Sequence, residues 1–323
     1  MDLTTYRTTF LDFLESNSFD KAPVNLYSPV NYILSIGGKR MRPILTLMAT
    51  DLFGGDSKAS LHAAMAVEVF HNFTLLHDDI MDDAPLRRGK QTVHEKWDVN
   101  TAILSGDVMM IKAYGFLMEY KGEVYRALME VFNQTAIEVC EGQQMDVDFE
   151  TRSDVSLEEY VEMIKLKTSV LVACALKMGA VIAGASNKDA DLIYDFGLNL
   201  GLAFQLQDDY LDAFGNPETF GKQVGGDIIE NKKTYLYIIA EQRANDGQRA
   251  DLRDLFSISN AGYDAKIEQV KSIFVDTGAD RAILDEIHRY TDKALGVLEH
   301  LNLPSESLSN LKDFAHYLMN RSS

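Results

Sequence analysis

The chain has 323 residues, 46% of them hydrophobic and 25% charged, an ordinary balance for a soluble globular protein with a sizeable core. Its formal net charge of −18 argues against binding nucleic acid or an anionic membrane through bulk electrostatics. Two cysteines, Cys140 and Cys174, are too few for a disulfide scaffold and suit a reducing cytoplasm. Any anionic ligand would have to be gripped by local basic groups or by metal ions.

The N-terminal Met1-Asp2-Leu3-Thr4-Thr5-Tyr6-Arg7 does not show the basic-then-apolar pattern of a signal peptide, and residues 1–20 read as a peripheral helix. Gly37-Gly38 ends a segment, and Arg42-Pro43 opens a helix with proline in its first turn. After the Gly54-Gly55-Asp56 loop, Leu61 to Leu76 repeats apolar residues at three-to-four spacing. The same period runs over Val99–Tyr120, Tyr125–Phe149, Leu157–Ala185 and Asp189–Phe214. Beyond the Gly215-Asn216-Pro217 and Gly225-Gly226 breaks it resumes over Thr234–Gln242, Ala265–Asp276, Arg281–Leu301 and Leu308–Met319. The most apolar stretch, Leu171 to Ala185, carries Lys177 and is shorter than the ~20 residues a membrane span needs, so it reads as a buried helix. Only 6 prolines occur, where average usage would give roughly 16. That scarcity fits long helices. No strand run with hairpin chemistry and no linker divides the chain, so the expected architecture is all-α, one domain over residues 1–323.

Two acidic clusters stand out, Asp78-Asp79-Ile80-Met81-Asp82 and Asp208-Asp209-Tyr210-Leu211-Asp212. On a helix, positions i and i+4 share a face, so each cluster gathers three carboxylates within one turn. Such groups repel one another unless cations are present, and hard oxygens are the ligands Mg2+ takes. A solvated acidic face is the plainer reading. Against it, each cluster emerges from apolar helix, Phe73-Thr74-Leu75-Leu76 and Ala203-Phe204-Gln205-Leu206. Cations lie close by: Lys39-Arg40-Met41-Arg42 at a glycine turn and helix start, Arg87-Arg88-Gly89-Lys90 after the first cluster, and Lys222, Lys232 and Lys233 after the second. The combination suits a site where cations and metals together hold two diphosphates.

In order and spacing, these residues closely resemble the trans-isoprenyl diphosphate synthases, the polyprenyl synthetase family. The resemblance runs from about Asn31 to Ala240. It rests on Gly37-Gly38-Lys39-Arg40-Met41-Arg42-Pro43, His77-Asp78-Asp79-Ile80-Met81-Asp82 with Leu86-Arg87-Arg88-Gly89, and Gly142-Gln143-Gln144-Met145-Asp146. Lys167-Thr168, Phe204-Gln205-Leu206-Gln207-Asp208-Asp209-Tyr210-Leu211-Asp212, Gly221-Lys222, Asp227 and Asn231-Lys232 complete it. The resemblance implies a single-domain isoprenoid-synthase helical bundle around a deep central cavity, a homodimer, and head-to-tail condensation of isopentenyl diphosphate with an allylic diphosphate (dimethylallyl, geranyl or farnesyl). Pyrophosphate would be released. By the same resemblance Asp78, Asp79, Asp82 and Asp208, with Asp209 and Asp212 in support, would hold about three Mg2+ on the allylic diphosphate. Arg87, Lys167 and Lys222 would complete the clamp on the leaving group. Lys39, Arg42, His71 and Arg88 would hold isopentenyl diphosphate, Thr168 and Gln205 would lie beside the reacting carbons, and Lys232 would help close the site. Plainer readings stand beside some of these: His71 as a core histidine, Thr168 bonded back to its own helix, Gln143 as a buried amide. Lys165 competes with Lys167, and only the following Thr168 favours Lys167.

Phe73 and Thr74 lie five and four residues before Asp78, about a turn below the acids, where a bulky side chain would limit the product tail. An aromatic at the former position without an insertion in the acidic motif resembles synthases that stop near C20. Geranylgeranyl diphosphate is therefore the expected product, with farnesyl diphosphate second. A class I terpene cyclase lacks a second motif of this form, and a non-catalytic synthase subunit tends to lose the acids and lysines that are all present here.

Overall fold

A computed structural model describes residues 3–216, 224–258 and 263–319, and among them the fold is helical apart from one two-stranded hairpin. The chain groups into two compact units, one of residues 1–134 and 174–191, the other of residues 135–173 and 192–323.

The first unit opens with α1 (Leu3–Ser16), whose buried residue is Phe10. It continues through α2 (Val24–Ser35), α3 (Met41–Leu52) and α4 (Leu61–Met81). Pro43 sits in the first turn of α3, where no backbone N–H is needed. After α4 come β1 (Leu86–Arg87) and β2 (Lys90–Gln91), then α5 (Val93–Lys96) and α6 (Val99–Leu117). Asp98 caps α6, its carboxylate accepting from the Thr101 N–H at 2.9 Å. Helix α4 packs along α6 and also against α3. Its buried side is nearly continuous from Ala63 to Val69, with Phe70 meeting Phe132 edge-on at 5.4 Å. By contrast α6 leaves Val99, Ile103, Leu104 and Ile111 exposed, and Met118 just beyond it, with Leu104, Ile111 and Met118 seven residues apart.

Helix α7 (Gly122–Thr151) leads into the second unit, followed by α8 (Leu157–Ile164), a π-helical turn (Lys165–Ser169), α9 (Val170–Ile182) and α10 (Asn187–Phe214). Then come α11 (Gly226–Ile229), α12 (Tyr235–Arg243), α13 (Asp246–Leu255), α14 (Tyr263–Asp276), α15 (Ala279–Val297) and α16 (Ser305–Met319). A capping box starts α8: Ser156 and Glu159 each accept from the other's backbone N–H. The core of this unit gathers Phe149, Tyr160, Leu206, Tyr235, Leu252 and Phe274, among others.

Three features depart from the sequence expectation. The run Leu157–Ala185 is broken by the π turn, which apolar periodicity does not register. Helix α13 has a weak apolar signal because Leu252 is its one buried residue, and an Asn245–Gln248 capping box helps start it. The hairpin turns on Arg88 and Gly89, both at positive φ (53° and 74°), whereas Asn-Gly or Asp-Gly is the usual sequence signal for such a turn. No helix of the described residues is long and apolar enough to cross a membrane.

Candidate active site

In the first unit, α4 carries Asp78 and Asp79 in its last turn, and Asp82 caps it, its N–H bonded to Asp78 O at 2.9 Å. Asp79 is buried at the end of an apolar helix, which pushes its carboxyl pKa up. Arg87, projected back by the hairpin, answers that burial. Its Nε donates to both Asp79 oxygens at 2.8 Å, and Nη2 lies 2.7 Å from Asp79 Oδ1 and 3.5 Å from Asp78 Oδ2. Arg88 turns the other way and donates to Gly37 O. The turn needs Gly38 for this: its φ is +124°, and an added Cβ would fall 2.4 Å from Arg88 Nη1.

Of the three cations in Lys39-Arg40-Met41-Arg42, Arg40 is withdrawn from any anion. Its side chain is buried, donating to Glu68 Oε1 and Leu34 O. Removing one partner of such a buried pair costs about 3–5 kcal/mol, so Arg40 anchors the glycine turn to α4. Arg42 donates to His71 Nε2 at 3.2 Å. An arginine cannot accept, so this contact requires His71 to be neutral with its proton on Nδ1. Burial, reinforced by the positive field of Arg42, Arg88, Arg87 and Arg40, holds the His71 pKa well below its usual value. The histidine thus lies in the positive field of four arginines, with Arg42 in direct contact. Lys39 is exposed. Phe73 is buried, its ring centroid 5.5 Å from Phe70 and 4.9 Å from His77. The Thr74 hydroxyl donates to His71 O at 2.8 Å within its own helix.

In the second unit, α10 presents Asp208, Asp209 and Asp212. Asp209 is buried; Tyr160 donates to its Oδ2, and Gln205 Nε2 to its Oδ1 at 3.1 Å. Gln205 Oε1 in turn accepts from the Thr168 hydroxyl at 3.3 Å, so Thr168 bonds across to α10 and the chain Thr168–Gln205–Asp209–Tyr160 is continuous. Burial pushes Asp209 up to about 7; the two hydrogen bonds pull it down, and Asp208 and Asp212 push it up again. Asp227, half-buried, is raised well above its usual range by desolvation and by Asp212 and Asp209. Its N–H donates to Asp212 Oδ2 at 3.0 Å.

Lys167 and Thr168 sit on the π turn, whose i→i+5 bonding inserts an extra residue and re-aims both side chains. Two glycines hold that turn from either side. A Cβ on Gly142 of α7 would lie 2.3 Å from the Lys167 backbone N, and one on Gly201 of α10 would lie 2.9 Å from Ser169 Cα. Lys167 Nζ pairs with Asp146 at 2.7 Å, while Lys165 pairs with Glu162 at 2.8 Å on its own helix. Gln143 is half-buried. Lys232 pairs with Glu230 at 2.9 Å. Lys233, grouped with it by sequence, instead donates to Phe149 O, Glu150 O and Arg152 O and so caps the end of α7. Lys222 lies outside the described residues. Sequence reasoning did not single out Tyr160, which looks like any apolar-face tyrosine, nor the part played by Asp146 as the partner of Lys167.

The donor set fits Mg2+. It consists of hard carboxylate oxygens, and in the second unit burial, reinforced by neighbouring carboxylates, raises Asp209 and Asp227, a cost that bound cations would relieve.

A family profile described as polyprenyl synthetase matches residues 23–274. The geranylfarnesyl diphosphate synthase of Natronomonas pharaonis is 37% identical over 93% of this chain and 91% of its own. The geranylgeranyl diphosphate synthase of Methanosarcina mazei is 44% identical over 68% of this chain and 69% of its own. A crystal structure of a geranylgeranyl pyrophosphate synthase superposes with a TM-score of 0.95 at 56% identity, covering 100% of both chains.

The raised carboxyls set a pH dependence. A folded-state pKa near 7 for Asp209, against about 3.9 unfolded, means the folded chain holds a proton that the unfolded chain has lost. This group therefore favours folding at low pH, and its contribution falls as pH rises through about 4 to 7. Bound Mg2+ would displace that proton. Thermal unfolding with chelator or excess Mg2+ should show a larger Mg2+ gain in Tm at about pH 8 than at about pH 5. An equal gain at both would sink this assignment.

Proposed function

From the premise that the chain belongs to the polyprenyl synthetase family and is a prenyltransferase, we propose that it condenses isopentenyl diphosphate with dimethylallyl, geranyl and farnesyl diphosphates, all-trans, to geranylgeranyl diphosphate. The observation that carries this reading is that the chain holds two kinds of group, each described within its own unit. One is a set of arginines around a neutral histidine, suited to a diphosphate that stays intact. The other is a set of buried carboxylates, suited to a diphosphate that leaves with metal ions.

In the reaction the allylic C–O bond ionises, the homoallylic double bond attacks the allylic cation, and a proton is lost to the departing pyrophosphate. About three Mg2+ held by Asp78, Asp79, Asp82, Asp208, Asp209 and Asp212 would stabilise the charge developing on the leaving group. Arg87 and Lys167, with Lys222, hold that group's remaining oxygens. Their present partners Asp79 and Asp146 keep both cations oriented until the diphosphate competes for them. Neutral His71 accepts from Arg42 and fixes its guanidinium, so that Arg42, Arg88 and Lys39 meet the isopentenyl diphosphate. The Thr168 hydroxyl and Gln205 carbonyl oxygen supply dipoles beside the carbocation, and the bond between them limits their reorientation. Lys232 helps close the site.

The family match spans residues of both units, which supports their acting as one synthase domain over residues 1–323. A homodimer formed over the exposed apolar stripe of α6 is part of the same proposal, since heptad-spaced Leu104, Ile111 and Met118 suit a second copy. We place the reaction in the cytoplasm, a setting that suits the unbridged Cys140 and Cys174; cell fractionation that recovered the activity with membranes would contradict this.

Purified protein with Mg2+, isopentenyl diphosphate and each allylic primer should release pyrophosphate and accumulate a C20 product. Asp78→Ala and Asp208→Ala should each lose most turnover, by about 100-fold or more, with helical circular dichroism retained. No pyrophosphate with any primer would overturn the synthase reading, and near-normal turnover in either variant the metal assignment. Removing the buried ring in Phe73→Ala should lengthen the product by at least one isoprene unit; an unchanged chain length would mean that Phe73 is not the floor. Leu104→Glu with Ile111→Glu should convert dimer to monomer in sedimentation analysis, and a persisting dimer would place the interface elsewhere.

A further inference from the structure

A second group of metal-binding side chains lies outside the residues assigned to the reaction. Asp83, His94 and Glu95 bring one ligand atom each to within 4.8 Å of one another. Asp83 follows α4 at a left-handed φ of 49°, and its N–H bonds Ile80 O at 3.3 Å. His94 and Glu95 belong to α5, with His94 Nε2 3.9 Å from Glu95 Oε1. Both carboxylates are exposed, but the His94 side chain is only 4% exposed. Neither of its ring nitrogens has a hydrogen-bond partner. A buried imidazole normally has a bonded nitrogen, because leaving it unpaired costs the full desolvation penalty of the group, about 1–3 kcal/mol. Here the burial is retained, and the unpaired ring stands beside two carboxylates that face water.

We propose that Asp83, His94 and Glu95 form a binding site for a divalent transition ion of the Zn2+ or Mn2+ type, separate from the aspartate clusters. The ligand chemistry separates the two kinds of site. Six carboxylates suit Mg2+, whereas an imidazole nitrogen with two carboxylate oxygens suits Zn2+, Mn2+ or Co2+. Bonds of about 2.0–2.2 Å at tetrahedral angles put ligand atoms roughly 3.4 Å apart, so the His94–Glu95 pair has only about half an ångström to close. Three protein ligands leave the fourth position to water.

The place of the site in the chain shows what it does. Asp83 stands at the entry of the hairpin and His94 at its exit, and that hairpin carries Arg87 and Arg88. Its base is closed by Thr92 N–H to Pro85 O at 3.2 Å and the Thr92 hydroxyl to Ala84 O at 2.7 Å. Above this base the strands pair over only two residues each, Leu86 with Gln91 and Arg87 with Lys90. The ion is a clip across the two ends of the hairpin, holding the Arg87 strand in register with α4. Its existence does not depend on the prenyl-transfer reading.

The test is a Zn2+ titration of the full-length protein by calorimetry, in excess Mg2+ so that the aspartate clusters are filled. Wild type should take up one more Zn2+ per chain than the Asp83→Asn/Glu95→Gln double variant, whose changes are exposed and isosteric and leave folding intact. Each single variant should weaken that ion by at least about tenfold. In imidazole nitrogen spectra, one histidine should shift on adding Zn2+ but not Mg2+, and His94→Ala should abolish that signal. Should His94→Ala fail to fold, the two carboxylate variants decide the matter through stoichiometry. Equal Zn2+ uptake and affinity in wild type and double variant would overturn the proposal, as would a His94 resonance that Zn2+ leaves unmoved.

Discussion

Carboxylates carried on apolar helices and withdrawn from water are the constraint on which the arrangement turns. Asp79 and Asp209 are each nearly as buried as the leucines around them, a costly position for a charge without partners. The two units answer differently. In the first, one guanidinium grips Asp79 through both oxygens. In the second, neutral donors from Tyr160 and Gln205 satisfy the oxygens but leave the charge uncompensated, so the proton affinity of Asp209 rises. Cations are the remaining answer. Burial thus raises the proton affinity of an ordinary acidic residue, so that a cation beside it would favour its charged form.

The same logic sorts the basic residues. In this strongly acidic chain, most cations can find a carboxylate or carbonyl, and the partner reveals the role. Arg40 is bound to Glu68 beneath the glycine turn, and Lys233 is used up on three carbonyls at the end of α7. Arg87 and Lys167 are paired with Asp79 and Asp146, each within its own unit and in a partially exposed position where, on the proposed function, a diphosphate would compete. His71 is held neutral by burial and by the positive charge of the arginines, and a neutral ring can accept from Arg42 where an imidazolium would repel it.

Backbone geometry contributes as much as charge. The π turn gives Lys167 and Thr168 directions that a regular α-helix would not, and the missing side chains of Gly142 and Gly201 let α7 and α10 approach its backbone closely enough to hold it. Gly38 does the same for the guanidinium of Arg88. At Gly142 and Gly201 a single added methyl group would run into the π turn itself, and at Gly38 into the Arg88 guanidinium.

Much of this was legible in the residues alone. Apolar spacing marked α4, α6, α7 and α10 because each buries a broad stripe, and the Asp78 and Asp208 clusters stood out because three acids in one turn on apolar helices have few purely structural uses. What the sequence could not carry was set by contacts between distant segments. The pairing of Lys167 with Asp146, the donation of Tyr160 to Asp209 and the withdrawal of Arg40 link residues 21, 49 and 28 positions apart, beyond any local period. The hairpin, α13 and the π turn escaped for a related reason: each depends on backbone geometry or capping, not on a repeating apolar face. The sequence by itself marked the long apolar helices and the candidate acids and cations. Only tertiary structure decided which charges are buried and which partner each one keeps, because desolvation and pairing are properties of the packed chain.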